Sequence, residues 1–550
     1  MSFGYHWKRE EQIRWAEERL FRFVRGYVDR YHPHYRKLFR ERGIDAERIY
    51  TYEDFARIPL TRKEDVQPDP KAFVLQPKME GTAYEVEPLT PGKKVGYAAR
   101  AFMSHYLRDL YGKPRPFREK VRQTAMYEWL PTHFNFSGGT TGMPASAVFT
   151  TYDLKKNVSR VHGMLYASGW GPEMRTLNLF PAVPHLAFFA PITVAFTVDT
   201  GGAVLHTCGG KAIPTERQVI IASIMGFEMI TSLPSYLLYW LKTAVELKDK
   251  GWIQGLPGIR QVVVGAEPMT DEYRLRIKNL LAELGSEDVR VIEVYGMTEM
   301  KAGFFECGEK TGIHLNPELY FWEMLDPETE KPVQWGEPGV LVFSHIDWRG
   351  TVLLRYWTGD LIQGGMVWDR CPACGLTLPR IFTPIVRAEK DFTKVKGARV
   401  PLLELQRSLH GVEGLEAFQV VLGKEDPADP LSRDKVTVYA CACPGAGEEG
   451  LRARILDSVR LGTEISPDEI VFLGSKELEN RLFERTGLKA DWVVDRREVT
   501  ITSQAGESTG GAPGCGGAEG EGKSQGGPRA AGEEEDGLPA PDGAGEEGEG

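Results

Sequence analysis

No stretch of this sequence approaches the roughly 18–20 uninterrupted apolar residues that a membrane-spanning helix needs, so no span is expected. The residues from Met1 to Arg19 are charged and aromatic. They lack the apolar run and small-residue cleavage site of a secretory leader, which makes a cytoplasmic setting the expectation. Cysteine is scarce: Cys208, Cys307, Cys371, Cys374, Cys441, Cys443 and Cys515 are the seven in 550 residues. An odd number at irregular spacing excludes a disulfide framework. A charge excess is also missing once the net charge of −10 is located, because residues 503–550 carry eleven acidic and two basic side chains. The rest of the chain sums to about −1, which argues against a nucleic-acid or membrane partner. The 501–550 tail has no aromatic and almost no aliphatic residue. It cannot bury enough apolar area to offset its ordering entropy and is expected to be disordered.

What is present is a chain long enough for a large core and a smaller lobe, with 42% apolar and 26% charged residues, typical of a globular protein. Apolar residues recur at helical spacing over 8–45 and read as a bundle packed on a larger body. From about 130 to 340 short apolar runs at 176–180, 203–206, 229–232, 261–264 and 291–294 alternate with amphipathic segments at 216–225, 236–247 and 271–284. That alternation predicts an α/β domain with parallel-rich sheets and binding loops at strand C-termini. Further strands are expected at 340–345, 352–356 and 366–369. A second, α+β lobe is expected from about 386 to 500, with helices at 402–409 and 451–461 and strands at 417–422 and 436–441. There is no internal repeat.

Three motifs, the second in two parts, could carry nucleotide chemistry. Ser137-Gly138-Gly139-Thr140-Thr141-Gly142 offers glycines that let backbone N–H groups approach an anion and hydroxyls that add donors, which suits the β- and γ-phosphates of ATP. It lacks the Gly-Lys-Ser/Thr of a Walker loop. Gly265-Ala266-Glu267-Pro268, and some thirty residues later Tyr295-Gly296-Met297-Thr298-Glu299, each follow a strand where α/β sheets place ligand loops. Glu299 could hold a Mg²⁺ that bridges phosphates, and Thr298 could donate to one. Thr358-Gly359-Asp360 places a carboxylate where it could accept two ribose hydroxyls. Taken singly, each is equally an ordinary Gly-bearing turn. Separately, Cys307, His314, Cys371 and Cys374 supply three thiolates and an imidazole, the donors of a closed structural zinc site, unless the four are unconnected.

In this order and spacing the three motifs resemble those of the adenylate-forming superfamily of acyl-CoA synthetases, adenylation domains and luciferases. Within it the chain resembles the phenylacetate–CoA ligase family. The resemblance rests on Tyr31-His-Pro-His-Tyr35, Phe55-Ala-Arg-Ile-Pro59, Gly265 to Pro268, the Cys307 to His314 segment and Cys371-Pro-Ala-Cys374-Gly375. It spans about residues 10 to 497. It implies a domain over 1–385, with a zinc-binding insertion around 307–375, and a mobile lobe over 386–500. It also implies two half-reactions: ATP and a carboxylic acid give an acyl-adenylate, which CoA converts to a thioester, the acid being aryl or arylacetic, such as phenylacetate.

By position, the resemblance gives Ser137 to Gly142 the phosphates, Gly265 to Pro268 the adenine, Glu299 a magnesium ion, and Asp360 and Arg387 the ribose. Tyr295, Gly296 and Thr298 belong to the nucleotide site. Lys489, in Gly487-Leu-Lys489-Ala490, is the cation that neutralises charge as the α-phosphorus is attacked. One of Glu389, Lys390 and Asp391 is the implied hinge residue, and a homodimer is among the assemblies implied. Phe134, Phe136, Phe188, Phe189 and Tyr295 are candidate acyl-pocket walls, and His185 lies near the same site. One departure stands out: many relatives have Lys where this chain has Met143, a loss of positive charge beside the phosphates. The alternatives are an adenylating enzyme with a non-CoA acceptor, like the deazaflavin-coenzyme-adenylating relatives, and a non-catalytic nucleotide-binding protein.

Overall fold

Five apolar runs, each too short to be a buried helix, assemble side by side as neighbouring strands, two of which carry the Gly265 and Tyr295 motifs. The computed structural model describes residues 4–497 apart from 80–81, 85, 109–115, 138–144, 163–167, 172, 183–185, 198–201, 210–211, 268, 388–391, 396–397, 427–428, 430–431, 464 and 485–489. All described residues belong to one compact unit, Met1–Val499; the tail expected to be disordered lies outside them. No described helix is long and apolar enough to cross a membrane.

The chain begins with helices α1 (Arg9–Phe23) and α2 (Pro33–Arg42). The helical run expected over 8–45 is broken at His32, which is extended before Pro33 and accepts the N–H of Tyr35 as the cap of α2. An antiparallel hairpin follows, β1 (Pro131–Phe136) and β2 (Ser146–Thr150). The main sheet contains β3 (Thr176–Asn178), β4 (Val204–His206), β5 (Met229–Ser232), β6 (Gln261–Gly265), β7 (Arg290–Met297) and β8 (Ala302–Phe305). Among the described residues its order is β8-β7-β6-β5-β3-β4, parallel throughout except for the β7–β8 hairpin.

Helices α3 (Leu186–Thr197), α4 (Thr215–Met225), α5 (Pro234–Asp249) and α6 (Asp271–Glu283) connect these strands. Leu237, Trp240, Leu241, Ile277 and Leu281 of α5 and α6 pack on Ile230, Val262, Val264 and Val291 of the sheet. This is the α/β pattern that the alternation of periods predicts.

A second sheet is antiparallel, in the order β9 (Tyr320–Leu325), β10 (Gly339–His345), β11 (Tyr356–Ile362) and β12 (Ile385–Arg387). Its apolar face shares one core with α1 and α2. The strand expected at 352–356 is not formed: pairing begins only at Tyr356. Val352, Leu353 and Leu354 are fully buried in loop conformation, and Arg355 sits at φ 46°. Its guanidinium is held there by Glu323 and by the carbonyls of Ala56 and Ile58. The apolar run therefore marks burial under the N-terminal helices, and the polar grip on Arg355 overrides its strand-like composition.

The C-terminal part has its own apolar cluster, including Leu405, Phe418, Val438, Leu451 and Ile455. It comprises helices α7 (Leu402–His410) and α8 (Glu448–Thr463) and a sheet of β13 (Leu415–Lys424), β14 (Asp434–Ala442), β15 (Glu469–Phe472) and β16 (Val493–Asp495), in the order β15-β14-β13-β16. It rests on α5 and α6 through Lys242 Nζ to Glu416 at 2.8 Å and through Arg276, which donates to the carbonyls of Glu416 and Leu415 at 3.2 Å each.

Candidate functional site

Strands β11 and β12 pair so that Asp360 stands opposite Arg387, and the two side chains meet, Oδ1 to Nε, at 3.0 Å. The other carboxylate oxygen of Asp360 accepts the hydroxyl of Tyr295 at 2.7 Å. Arg387 also donates to Thr358 O at 2.8 Å, and Thr358 Oγ1 accepts the N–H of Asp360 at 3.0 Å. Gly359, at φ 73°, supplies the left-handed residue that turns Thr358 and Asp360 into these roles. Burial, and then the Asp360 charge, holds the Tyr295 phenol well above its ordinary range, so it acts as a donor. Burial opposes the charge on Arg387, but Asp360 and the nearby Tyr295 and Glu299 outweigh it and raise its pKa.

Glu299 lies in the turn between β7 and β8 and is buried, and its Oε1 accepts the Tyr356 hydroxyl at 2.9 Å. The turn is tight because Met297 pairs with Ala302. Gly296 is required there, since a Cβ would sit 2.5 Å from the carbonyl oxygen of Ala302. Lys301 closes the turn in the left-handed region, at φ 63°. It is wholly buried, donates to Thr351 O at 2.6 Å and lies 3.7 Å from Asp153 and 4.1 Å from the Trp348 ring. Burial lowers its pKa to about 8 against the pull of Asp153.

Thr351 is also the anchor of β2, exchanging hydrogen bonds with Val148 at 2.9 Å in both directions. Lys301 thus ties the Glu299 turn to the hairpin that presents the Ser/Gly/Thr loop. Ser137 clamps the neck of that loop: its N–H donates to Ala145 O at 2.8 Å and its Oγ accepts the N–H of Ala145 at 2.9 Å. Gly138, Gly139, Thr140, Thr141, Gly142 and Met143 lie outside the described residues, as do Pro268, His185, Lys489 and the hinge candidates Glu389, Lys390 and Asp391.

Gly265 ends β6 against the next strand, where a Cβ would meet Val294 O at 2.4 Å, and Ala266 follows at φ 66°. The carboxylate of Glu267 accepts the N–H and the hydroxyl of Ser235, at 3.0 and 2.8 Å, at the first turn of α5. It thereby satisfies donors that a helix start leaves unpaired. Beyond this turn a polar cavity of about 470 Å³ opens between the start of α6, β7 and the 381–383 segment, lined by Thr270, Arg274, Glu293, Glu306, Phe382 and Thr383. Glu293 is two residues before Tyr295 on β7 and so shares its face. Burial, and then the charge of Glu306, raises its carboxyl to about 7, with Arg274 only partly compensating at 3.5 Å.

The aromatic candidates divide. Phe134 and Phe136 alternate on β1 and are largely exposed. Phe189 stacks on His133 at 4.0 Å, and Phe188 packs against His206 at 4.7 Å, beyond the C-termini of β3 and β4. Tyr295 turns to Asp360, on the Arg387 side.

Cys307, His314, Cys371 and Cys374 come together although Cys307 and Cys371 are 64 residues apart in sequence, their ligand atoms all within 4.8 Å of one another. Cys307 Sγ is 3.5 Å from Cys371 Sγ, and Cys374 Sγ is 3.6 Å from His314 Nε2. Burial pushes the Cys307 thiol up to about 12 and lowers His314 to about 4, which keeps the imidazole neutral. Gln12 of α1, fully buried, donates to Thr377 O at 2.8 Å and so binds the segment after Cys374 to the N-terminal helix. The six described cysteines are all free of disulfides.

Sequence reasoning missed Tyr356, Glu293, Lys301 and Ser235. Only Glu293 carried a local signal, its two-residue offset from Tyr295 on a strand. The others act on partners 57, 148 and 255 residues away in the chain, with Lys301 reaching Asp153.

Comparison with known proteins adds to this geometry. The profile of a family described as AMP-binding enzyme matches residues 85–357. The chain is 28% identical over 463 residues to a phenylacetate-coenzyme A ligase of Thermus thermophilus, covering 82% of this chain and 86% of that one. It is 26% identical over 309 residues to the phenylacetate-coenzyme A ligase of Escherichia coli K12, covering 54% and 64%. Among solved structures, 2-hydroxyisobutyryl-CoA ligase in its postadenylation state superposes with a TM-score of 0.66 at 16% identity, over 90% of this chain and 91% of that one. The same enzyme in its thioesterification state gives 0.52 at 18% identity, over 89% and 91%.

Proposed function

We propose that this chain, a member of the adenylate-forming AMP-binding enzymes and within them of the phenylacetate–CoA ligase family, activates a carboxylic acid with ATP and passes the acyl group to the thiol of coenzyme A. The observation that carries the reading is the Tyr295–Asp360–Arg387 cluster, with Glu299 held by Tyr356 in the adjoining turn. In this reading Asp360 would accept the two ribose hydroxyls and the buried carboxylate of Glu299 would take a hard cation.

The polar cavity next to the Gly265 turn would take the adenine ring, with Glu293 near neutrality able to serve as donor or acceptor. Ser137 to Gly142 and Thr298 would hold the phosphates. A carboxylate oxygen attacks the α-phosphorus in line and pyrophosphate leaves, with Lys489 stabilising the growing charge. The thiolate of CoA then attacks the acyl carbon, and AMP departs with the carbonyl's former carboxylate oxygen. Glu299 would hold Mg²⁺, which supplies charge neutralisation across the phosphates when bound.

Phenylacetate or a related arylacetic acid is the substrate that the similarity to phenylacetate-coenzyme A ligases favours. We place the working boundary of the C-terminal lobe near residue 386. Cys307, His314, Cys371 and Cys374 would hold a structural zinc ion, since three sulfurs and one nitrogen at these separations fill a tetrahedron and leave no position for substrate. Free thiols and a need for ATP and CoA suit a reducing cytoplasm.

The test is a panel of benzoate, phenylacetate, hydroxyphenylacetate and aliphatic acids with ATP and CoA, read by AMP release and by thioester. Acid-dependent AMP with stoichiometric thioester is expected. AMP without thioester would replace CoA by another acceptor, and no AMP with any acid would remove the catalytic reading.

A further inference from the structure

Ala490, the residue after Lys489, donates its N–H to Ser235 Oγ at 3.3 Å. The same hydroxyl donates its proton to Glu267 Oε1 at 2.8 Å, while Glu267 Oε2 accepts the N–H of Ser235 at 3.0 Å. Ser235 and Ala490 are both only 4% exposed. A hydroxyl can donate and accept at once, and a buried one used in both directions costs free energy if either partner is lost.

Ser235 therefore sits between two parts of the molecule and hydrogen-bonds to both. On one side is the turn after β6, whose strained Ala266 and close-packed Gly265 leave Glu267 little freedom. On the other is the segment that runs through Trp492 into β16. Around it the same two parts meet less specifically. Lys242 and Glu416 pair near the surface, Arg276 reaches the carbonyls of Leu415 and Glu416, and Tyr273 packs edge-on against His410 at 4.6 Å and Trp492 at 6.1 Å. The part-exposed Lys242–Glu416 pair fixes position weakly, and ring packing has little directionality. A buried hydrogen bond of defined direction fixes register.

We propose that Ser235 is a positioning residue for adenylate formation: its hydroxyl holds the backbone at Ala490 in register with the Glu267 turn on the nucleotide side. The inference rests on the function proposed above, in which that turn faces the nucleotide and the residue before Ala490 acts on the α-phosphorus. A group placed wrongly for one step costs that step and not the other.

The experiment uses the full chain and its Ser235→Ala and Ser235→Thr variants, with phenylacetate or whichever acid of the panel releases most AMP. Two rates are compared: acid-dependent exchange of labelled pyrophosphate into ATP, and thioester formation from supplied acyl-adenylate and CoA. S235A is expected to lower exchange turnover roughly tenfold, the scale of one or two lost hydrogen bonds. Thioester formation should stay within about twofold of wild type, and S235T should recover most of the exchange, because the hydroxyl is restored. Preserved thioester formation also shows that the variant is folded. Equal loss of both rates, no loss of either, or no recovery with threonine overturns the inference alone. A wild-type chain silent in exchange with every acid overturns the functional reading and this inference with it.

Discussion

Asp360 and Arg387 face each other across paired strands at 3.0 Å, and Tyr295 completes the grip on the Asp360 carboxylate from a strand of the other sheet. The site is thus assembled where the two sheets meet, and Asp360 is held by two donors before any ligand arrives. If it binds ribose, its contribution is the same in ground and transition states. Asp360→Asn should then raise the KM for ATP by about 10- to 100-fold, the scale of hydrogen bonds to a charged group, with kcat changed far less. Steady-state kinetics at saturating acid and CoA decides this. A fall in kcat at unchanged KM would place Asp360 elsewhere in the reaction.

The Cys/His cluster predicts about one zinc per chain by metal analysis of protein purified without added metal. Cys371→Ser should lose it and lower the melting temperature by several degrees, since the cluster clasps β-strand residues His314 and Arg380 and, through Thr377, helix α1. A metal-free chain with unchanged melting temperature would show the four residues to be mere neighbours.

Met143 predicts a gain. If the loop after Ser137 takes the phosphates of ATP, adding a cation there, Met143→Lys, should raise pyrophosphate–ATP exchange several-fold by stabilising the charge on the departing pyrophosphate. Stopped or continuous exchange assays at saturating ATP measure it. An unchanged or lower rate would mean that the loop has another cation in its place.

Glu293 makes stability depend on pH. Its folded pKa, about 7, lies above the ordinary 4.5, so its favourable contribution is complete below pH 4.5 and is lost as pH rises through 7. Glu293→Gln removes that loss. The variant should become progressively more stable than wild type between these limits, by up to roughly 3 kcal/mol at pH 8 on the linkage relation. Urea melts at pH 5, 6, 7 and 8 test it, and a pH-independent difference would sink it.

The alternating apolar runs around Ile230, Val262 and Val291 were readable because a sheet covered on both faces demands them locally, whatever the rest of the chain does. The run at Val352, Leu353 and Leu354 looked the same and is loop. Its burial is imposed by α1 and α2 and its backbone by the grip of Glu323 on Arg355, neither of which leaves a trace at that spacing. Likewise the turn residues Gly265, Gly296 and Gly359 announce themselves, since backbone geometry restricts the residue type at the position itself.

By itself, then, the sequence determined the α/β class, the strands that end in glycine-bearing turns and the donor types of the Cys/His set, because each depends on periodicity or on chemistry carried within a few residues. Only the tertiary structure decided that Asp360 meets Tyr295 and Arg387, that Tyr356 holds Glu299, that Lys301 joins the Glu299 turn to the loop hairpin and that Ser235 ties Glu267 to Ala490. Each of these is a pairing between side chains far apart in the chain. Hydrogen-bond partners are chosen by where folding brings the groups, and no local pattern encodes that choice.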